Sequence, residues 1–331
     1  MHLVLPFAGA SPPDAAQAAA ALSLTRLERL LALLTPGARD RGDELSLSPP
    51  HERVLAAARG WPLADGLLPL AALAATADGL LSLPADSRTA TGLPATAPGD
   101  AEPGWGLLSP SHWQLGSDQV LLVDPATLAL DEADSRTLFA TLQPLFSDDG
   151  WSLHWGAADR WYARHPSLAT LPTASLDRVV GRPVDRWMNS HPDARRVRRL
   201  QAEAQMLLHG HPVNERREAQ GRLPVNSFWL SGTGPTPAAG AATDGVAGLQ
   251  VDLRLRAPAL AADWTAWAEA WAELDAGPLQ QALVLATAGA PVAITLCGER
   301  DAQRFDLRPR PVWQRWLGRR RVAVAPLLEG L

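Results

Sequence analysis

Residues 211–234, HPVNERREAQGRLPVNSFWLSGTG, combine a His-Pro turn, two asparagines, three arginines and a Gly-x-Gly sequence. Arginine carries forked N–H donors whose geometry suits a carboxylate or a phosphate. Glycines let main-chain amides approach an anion closely. The pattern therefore predicts a binding site for a small phosphorylated or carboxylated ligand. We assign ligand binding to seven residues: His211, Asn214, Arg216, Arg217, Asn226, Gly232 and Gly234.

Local elements must position these residues. Apolar residues recur at helical spacing over 194–209 and predict a helix that leads into the stretch. Asn214 is predicted to cap a short helix over 215–219. A strand over 226–231 follows, and 232–235 are predicted to form a glycine loop at its carboxyl end, where open α/β sheets bind ligands. The alternative interpretation is a helical hairpin and a turn with solvated arginines.

Other polar residues could do chemistry elsewhere. Ser46, Ser48 and His51 could form a Ser-His pair for nucleophilic catalysis, although closeness in sequence does not establish one. His209 and His211 flank a turn without a nearby Asp or Cys, which favours a structural or anion-facing role over metal binding. We therefore predict no metal site and no cofactor.

Composition restricts the class of partner. The chain has 331 residues, a net charge of −5 and 47% hydrophobic residues, which is enough for a sizeable core. Thirteen tryptophans would suit stacking on nucleic-acid bases. They are scattered, however, and the acidic net charge argues against a nucleic-acid partner. The basic groups at 195–199 and 315–321 are interpreted as solvated faces, with an acidic partner as the alternative.

Cysteine content and hydropathy indicate the compartment. The single cysteine, Cys297, excludes an internal disulfide framework and suits a reducing environment. It ends an apolar run, so we predict a buried structural thiol. The N-terminal residues lack the features of a signal peptide, and no apolar run is long enough to span a membrane. We expect a cytoplasmic protein that does not contact membranes.

Strands alternate with helices along the chain, which predicts an α/β fold. Trp264, Trp267 and Trp271 fall on one face of a predicted helix. The other predicted helices span 15–34, 52–59 and 130–142, the predicted strands span 3–5, 120–123, 151–155, 249–255, 292–296 and 321–325, and a loop is predicted over 84–104.

The stretch 211–234 resembles the archaeal-type cofactor-independent phosphoglycerate mutases of the alkaline phosphatase superfamily. The resemblance is carried by His-Pro-Val-Asn, the arginine pair, Gly221, Pro224, Asn226, Trp229-Leu230 and Gly-x-Gly. The whole chain is similar to a bacterial family of RpfE-type regulatory proteins, through segments 45–62, 151–163, 171–187 and 291–299.

These resemblances imply an alkaline-phosphatase-like sheet core sandwiched by helices. They also imply an inserted α+β subdomain at 116–205, between core parts at 1–115 and 206–331.

The mutases use two divalent metals and a phosphoryl-accepting serine, and this chain departs from that pattern. The first predicted strand runs into residues 6–10, PFAGA, which contain no carboxylate. His51 falls nearest the nucleophile position, and 296–299 stand where an Asp-His pair is expected. No histidine follows His211. Two hard cations need several oxygen and imidazole ligands.

The departures favour a catalytically degenerate, mutase-like protein that serves binding and regulation. The alternative is an active phosphoglycerate mutase or phosphatase in which His51 accepts the phosphoryl group. Its metal ligands would then come from Asp43, Glu44, Glu52, Asp65 or Glu299. A third class is an interaction protein that binds a protein partner and no small molecule.

Overall fold

The computed structural model describes residues 1–9, 12–81, 103–116, 118–188, 190–237, 248–308 and 322–331. The chain divides into two compact units. Unit 1 comprises Met1–Glu44, Pro49–Ala58 and Asp244–Leu331. Unit 2 comprises Leu45–Ser48 and Arg59–Thr243.

Strands and helices alternate along the described residues. The strands are β1 (His2–Leu5), β2 (Thr35–Asp40), β3 (Gly104–Ser111), β4 (Trp113–Leu115), β5 (Val120–Leu122), β6 (Ser152–Ala157), β7 (Arg160–His165), β8 (Ser227–Gly234), β9 (Leu249–Val251), β10 (Ala293–Cys297) and β11 (Ala302–Asp306). The α-helices are α1 (Pro13–Ala21), α2 (Thr25–Leu31), α3 (Pro50–Ala58), α4 (Leu70–Ala77), α5 (Glu132–Asp148), α6 (Leu176–Val179), α7 (Ala194–Leu208), α8 (Pro212–Ala219), α9 (Arg256–Leu260), α10 (Trp264–Leu274), α11 (Gln280–Thr287) and α12 (Val324–Glu329).

Unit 1 contains a mixed sheet in the order β2-β11-β10-β1-β9. β1 pairs in parallel with β9 on one side and β10 on the other, while β11 is antiparallel to both β10 and β2. The parallel strands therefore end on the same side of the sheet. We call the residues that follow them, Pro6–Ala8, Asp252 and Gly298, the carboxyl edge.

The core of unit 1 lies between the sheet and its helices. Trp267 and Trp271 of α10 are fully buried, and their rings meet edge-to-face at 6.0 Å. They pack in one cluster with Leu3, Leu5, Leu27, Leu30, Ile294 and Leu296. This arrangement confirms that the tryptophans of α10 share a face. Trp264 is only partly buried against the cluster.

A distant carboxylate stabilises the start of α2. Leu24 precedes this helix and provides no side-chain cap. Asp275, which is 3% exposed, instead accepts hydrogen bonds from the main-chain N–H of Arg26 at 3.1 Å and of Leu27 at 2.9 Å. The negative charge also faces the positive end of the helix dipole. Asp275 thereby joins α2 to the π-helical segment Asp275–Leu279 between α10 and α11.

Unit 2 contains an antiparallel sheet in the order β6-β7-β3-β8, with the hairpin β4-β5 beside it. Side chains alternate between its faces, as strand geometry requires. Trp161 and Ala163 of β7 belong to the cluster formed with α5 and α7. Tyr162, between them, packs with Ala71 and Ala75 of α4.

The predicted α/β class and most predicted elements are confirmed, but two elements of unit 1 differ. The helix predicted over 15–34 is two helices, because Leu22 has an extended backbone and ends α1. The strand predicted over 249–255 stops at Val251. Asp252 then accepts from the main-chain N–H of Arg254 at 3.2 Å, a local hydrogen bond that competes with strand pairing.

Two further predictions are wrong. The strand predicted over 321–325 overlaps the start of α12, where Pro326 lacks the N–H that a strand would need but suits a first helical turn. The glycine loop predicted over 232–235 is mostly strand, because β8 continues through Gly234. Residues 84–102 of the loop predicted over 84–104 lie outside the described residues. The basic group at 315–321 lies outside them as well.

Unit 2 is wider than the subdomain predicted at 116–205. β3 and β8 lie outside those limits, yet they pair with each other from Trp105–Gly234 to Ser111–Ser227. Among the described helices, none is long and apolar enough to cross a membrane.

The buried thiol of unit 1 gives a testable prediction. Cys297 is fully buried, and burial raises the pKa of its thiol. At pH 8 the native protein should therefore react with iodoacetamide at least about a hundredfold more slowly than the urea-unfolded protein. Intact mass measured over time checks this rate. Rapid alkylation of the native chain would contradict the placement of β10 in the core.

Candidate functional site

The carboxyl edge of unit 1 is where an α/β sheet would bind a ligand. β1 is followed there by an aromatic residue in a strained conformation. Phe7 has a φ of 58°, in the left-handed region that bulky residues rarely adopt. Its carbonyl accepts a hydrogen bond from Trp267 Nε1 at 2.9 Å. The core tryptophan thus holds Phe7 where the resemblance would require a carboxylate.

His51 lies beside this turn. It is near the start of α3, and its ring centroid is 5.7 Å from that of Phe7. The structure therefore brings the predicted catalytic residue to the end of β1. At that position the His51 ring lies beside the ring of Phe7.

The carboxylate that follows β9 is neutralised by arginine. Arg254 Nε lies 3.0 Å from Asp252 Oδ1, and Arg254 Nη2 lies 2.6 Å from Asp252 Oδ2. This two-bond pairing lowers the pKa of Asp252 from its ordinary value. A cation would have to compete with a guanidinium for these oxygens.

Two more arginine–carboxylate pairs lie in unit 1. Arg53 of α3 donates from Nε to Asp40 at 2.9 Å, and its Nη2 donates to the carbonyl of Arg300 at 3.0 Å. Arg39 of β2 donates to Asp301 at 2.8 Å. Asp40 and Asp301 thus serve to hold β2, α3 and the β10–β11 turn together.

Residues 324–331 pack against the carboxyl edge. A Cβ on Gly9 would lie 2.1 Å from the carbonyl oxygen of Leu328, and one on Gly298 would lie 2.5 Å from the main chain of Leu331. The Leu331 carbonyl accepts from the main-chain N–H of Asp301 at 3.0 Å. Protein atoms therefore fill the space beside the ends of β1 and β10.

The two-metal site implied by the resemblance does not fit these residues. No group of three or more His, Cys, Asp or Glu side chains suitable for a metal is found in the part of the chain that the structure describes. The carboxyl edge presents Phe7, the Arg254-bound Asp252 and Gly298. Two divalent cations would need several converging oxygen or nitrogen ligands.

The seven predicted ligand residues lie in unit 2, on or beside α8 and β8. Asn214 is buried, and both ends of its amide bond main-chain groups. Its Nδ2 donates to the carbonyls of Leu208 at 2.9 Å and Val225 at 2.8 Å, and its Oδ1 accepts from Val225 N at 2.9 Å. Asn214 is therefore not the helix cap that the sequence predicted. It joins the end of α7 to the segment before β8.

His211 holds the cap position instead. Its Nδ1 accepts from the main-chain N–H of Val213 at 3.2 Å, and its Nε2 lies 3.1 Å from the Thr141 hydroxyl. Pro212, which follows, takes the first helical position, where its missing N–H costs nothing, and this proline was the sequence signal for the earlier helix start. Arg216 of the same helix is half exposed and forms an ion pair with Asp134.

Arg217 and Asn226 also bond the main chain. Arg217 is 1% exposed and donates to the carbonyls of Leu223 at 3.0 Å and Leu128 at 2.5 Å. Asn226 accepts from Trp113 N at 2.7 Å and donates to Trp113 O at 3.0 Å, as a neighbouring strand would. These contacts support a structural role for both residues.

Gly232 and Gly234 are needed for close packing. Gly232 has a φ of +66°, and a Cβ there would lie 2.9 Å from Ala71 N of α4. A Cβ on Gly234 would lie 2.9 Å from the Leu67 carbonyl. The main chain of residues 67–71 thus packs directly against these two glycines.

Sequence reasoning missed the arginines that neutralise the acids of unit 1. Asp252 and Arg254 are two residues apart in a segment predicted as a strand, so both were expected on one solvated face. The two-residue spacing was the available sequence signal that Arg254 could pair with Asp252. Arg53 gave no such signal, because its partner Asp40 lies on a different element.

Comparison with known proteins gives a distant relationship. No protein-family model matches the chain. A probable 2,3-bisphosphoglycerate-independent phosphoglycerate mutase of Geobacter sulfurreducens is 25% identical over 112 residues, which are 33% of this chain and 27% of that protein. The chain thus matches about a quarter of the length of this curated relative. The match confirms the predicted distant similarity to cofactor-independent phosphoglycerate mutases.

Two solved structures are also similar over most of their length. The cofactor-independent phosphoglycerate mutase from Thermoplasma acidophilum has 14% identity and a TM-score of 0.36, with 92% of this chain and 89% of that chain covered. The PH0037 protein from Pyrococcus horikoshii has 13% identity and a TM-score of 0.46, with 92% and 86% covered.

The contacts of Asn214 predict a structural effect of its removal. Asn214→Ala removes three hydrogen bonds, leaves the N–H and the carbonyl of Val225 without these partners, and should destabilise unit 2 by about 2–4 kcal/mol. Urea unfolding followed by circular dichroism measures the change. Glu215→Ala, at the next and exposed position of α8, is the matched control and should change stability by less than about 0.5 kcal/mol. Equal stability of the two variants would refute the structural role.

Proposed function

We propose that this chain is a mutase-like protein whose phosphoryl-transfer centre is degenerate and which acts by binding. A regulatory role of the RpfE type is part of this proposal and comes from the sequence resemblance. The single observation that carries it is the pairing of Asp252 with Arg254 at the carboxyl edge. The one carboxylate that directly follows a parallel strand there is held by a cation of the protein itself.

Charge at the carboxyl edge supports the proposal. A pair of divalent cations is stable only where several anionic or neutral ligands face it without competing positive charge. Arg53 and Arg39 bind Asp40 and Asp301, as Arg254 binds Asp252. A cation that drew these carboxylates away would deprive partly buried guanidinium groups of their carboxylate partners, which is unfavourable.

A small phosphorylated or carboxylated ligand remains the proposed partner of unit 2. Arg216 is the best placed of the seven predicted residues, because its side chain is 53% exposed and Asp134 engages one of its terminal nitrogens. His211, the N-cap of α8, lies against Thr141 of α5, the helix that also carries Asp134. In this proposal Asn214, Arg217, Asn226, Gly232 and Gly234 position α8 and β8. A protein partner and a cytoplasmic location belong to the same proposal.

Metal content and mutase activity test the degenerate centre. We expect purified protein to contain much less than one equivalent of manganese or zinc. We also expect no interconversion of 3-phosphoglycerate and 2-phosphoglycerate after addition of manganese, zinc or magnesium. Elemental analysis and a coupled assay measure these quantities, with the Geobacter sulfurreducens mutase-like protein prepared in parallel as the control.

Turnover would instead support an active enzyme, the second candidate function. The position of His51 beside Phe7, at the end of β1, favours it. In that case His51→Ala should abolish activity, Arg222→Ala should weaken it, and the exposed His209→Ala should leave it unchanged. Turnover that survives His51→Ala would refute His51 as the phosphoryl acceptor.

Thermal unfolding tests the anionic ligand. Saturating 3-phosphoglycerate should raise the Tm of the wild-type protein by a few degrees, since a ligand that binds only the native state stabilises it. Arg216→Ala should lose most of this shift, whereas Arg195→Ala, an exposed arginine of α7, should keep it. No shift with phosphorylated or carboxylated metabolites would favour an interaction protein without a small-molecule site.

A further inference from the structure

Helices α1 and α10 of unit 1 have a groove between them. The two helices pack side by side, and the groove has a volume of about 640 Å³ and is open to solvent. Each helix buries another of its faces in the core of unit 1, through Ala19 of α1 and through Trp267 and Trp271 of α10. The core therefore holds both walls of the groove in place.

Apolar side chains, most of them small, line the groove. Ala18, Ala21 and Leu22 are spaced at i, i+3 and i+4 along α1, and Ala268 and Ala272 lie one turn apart on α10. Short side chains between two neighbouring helices leave room for the side-chain ridge of a third helix. The lined part of α10, 264–272, rises by about 12 Å, which matches two turns of such a helix.

Trp264 gives the groove an aromatic anchor. It is partly buried against the core, and its ring meets that of Trp267 edge-to-face at 5.9 Å. Trp267 is fully buried, so this contact orients the Trp264 ring. Tryptophan is enriched among the residues that carry most of the binding energy at protein interfaces.

The groove also carries negative charge. Asp14 lines it from α1, and Glu269 lines it from α10. Glu273 of α10 has a guanidinium nearby, with Arg254 Nη1 at 3.8 Å from its Oε2. Asp14 and Glu269 form no ion pair with the residues that the structure describes. Two carboxylates that face an apolar groove from opposite walls are thus available to positive charge.

The sequence shows that this charge is not balanced locally. Residues 1–25 and 257–299, which contain both helices, include no lysine and no arginine. An occupant that neutralises the two carboxylates has to bring its own basic residues. A second copy docked by two-fold symmetry through the same face would bring like charges together, which is unfavourable.

We propose that the groove between α1 and α10 docks an amphipathic helix of a partner protein. The apolar stripe of this helix lies against the alanines and Trp264. Lysine or arginine residues on both sides of the stripe pair with Asp14 and Glu269, as charged residues flank the apolar seam of paired helices. The inference rests on the binding role proposed above and deepens it, since it gives that role a surface and a class of partner. Metal content and mutase activity are independent of it.

Fluorescence anisotropy on the full chain tests the groove. The probe is a labelled helical peptide about four turns long, with leucine on one face and lysine on the other. The comparator is the same peptide with glutamate in place of every lysine. We expect saturable binding of the lysine peptide, at least about tenfold tighter than that of the glutamate peptide, because Asp14 and Glu269 attract one and repel the other. Added salt should reduce this difference.

Neutral variants test the two carboxylates. Asp14→Asn combined with Glu269→Gln should weaken binding of the lysine peptide by about fivefold. The matched control is Glu215→Gln combined with Glu218→Gln, at exposed positions of α8. It makes the same change in net charge and should leave binding unchanged.

A bulky cation in the wall tests the position of the site. Ala272→Arg should prevent binding of the lysine peptide, because Ala272 lines the groove from α10. Ala202→Arg, at an exposed position of α7, adds the same side chain elsewhere and should keep binding. Circular dichroism checks that both variants are folded.

Four results would overturn the proposal. The first is no saturable binding of the lysine peptide to the wild-type protein, and the second is equal affinity for the glutamate peptide. The third is unchanged binding by folded Ala272→Arg. The fourth is a dimer in sedimentation velocity that Ala272→Arg dissociates, since a second copy of the chain would then occupy the groove. The first two need only the wild-type protein, so they apply even if a variant fails to fold.

Discussion

The parallel pairing of β1 with β9 and β10 decides which residues meet in unit 1. Because β1 is central, the residues after it, Pro6 and Phe7, lie between those that follow the two neighbouring strands. A sheet of this kind usually gathers polar groups at that edge. In this chain the positions are taken by an aromatic ring, an ion pair and a glycine packed against Leu331. The groups that unit 1 presents at this edge follow from this arrangement.

The position of Phe7 also has a packing consequence. Phe7 adopts a strained backbone, and the surrounding contacts must compensate for it. Trp267 does so by donating its indole N–H to the Phe7 carbonyl while filling the core beneath the sheet. The aromatic turn at the end of β1 is thus tied to α10, and the hydrophobic core and the carboxyl edge are stabilised together.

The sequence predicted secondary structure well where apolar residues repeat at helical spacing over many residues. It predicted the roles of polar side chains poorly. Helix α7 was found from apolar residues at helical spacing, and the tryptophan face of α10 from the same signal. The role of Asn214 was not, because three hydrogen bonds to Leu208 and Val225 depend on how α7, α8 and β8 pack. A polar residue near a helix start suggests a cap, but Pro212 indicated that the helix begins earlier, with His211 at the cap position.

Gly232 and Gly234 have an effect on β8 beyond close packing. Successive residues of a strand point to opposite faces, so a slip of one residue would exchange every inward and outward side chain. At β8 such a slip would also put Ser231 or Thr233 in the place of Gly232. The Cβ of either residue would then lie within 3 Å of the main chain of α4. The alignment of β8 with β3 is therefore fixed by steric exclusion as well as by hydrophobic burial. The irregularity that shifts the register between Trp105 and Leu107 of β3 therefore lies opposite these two glycines.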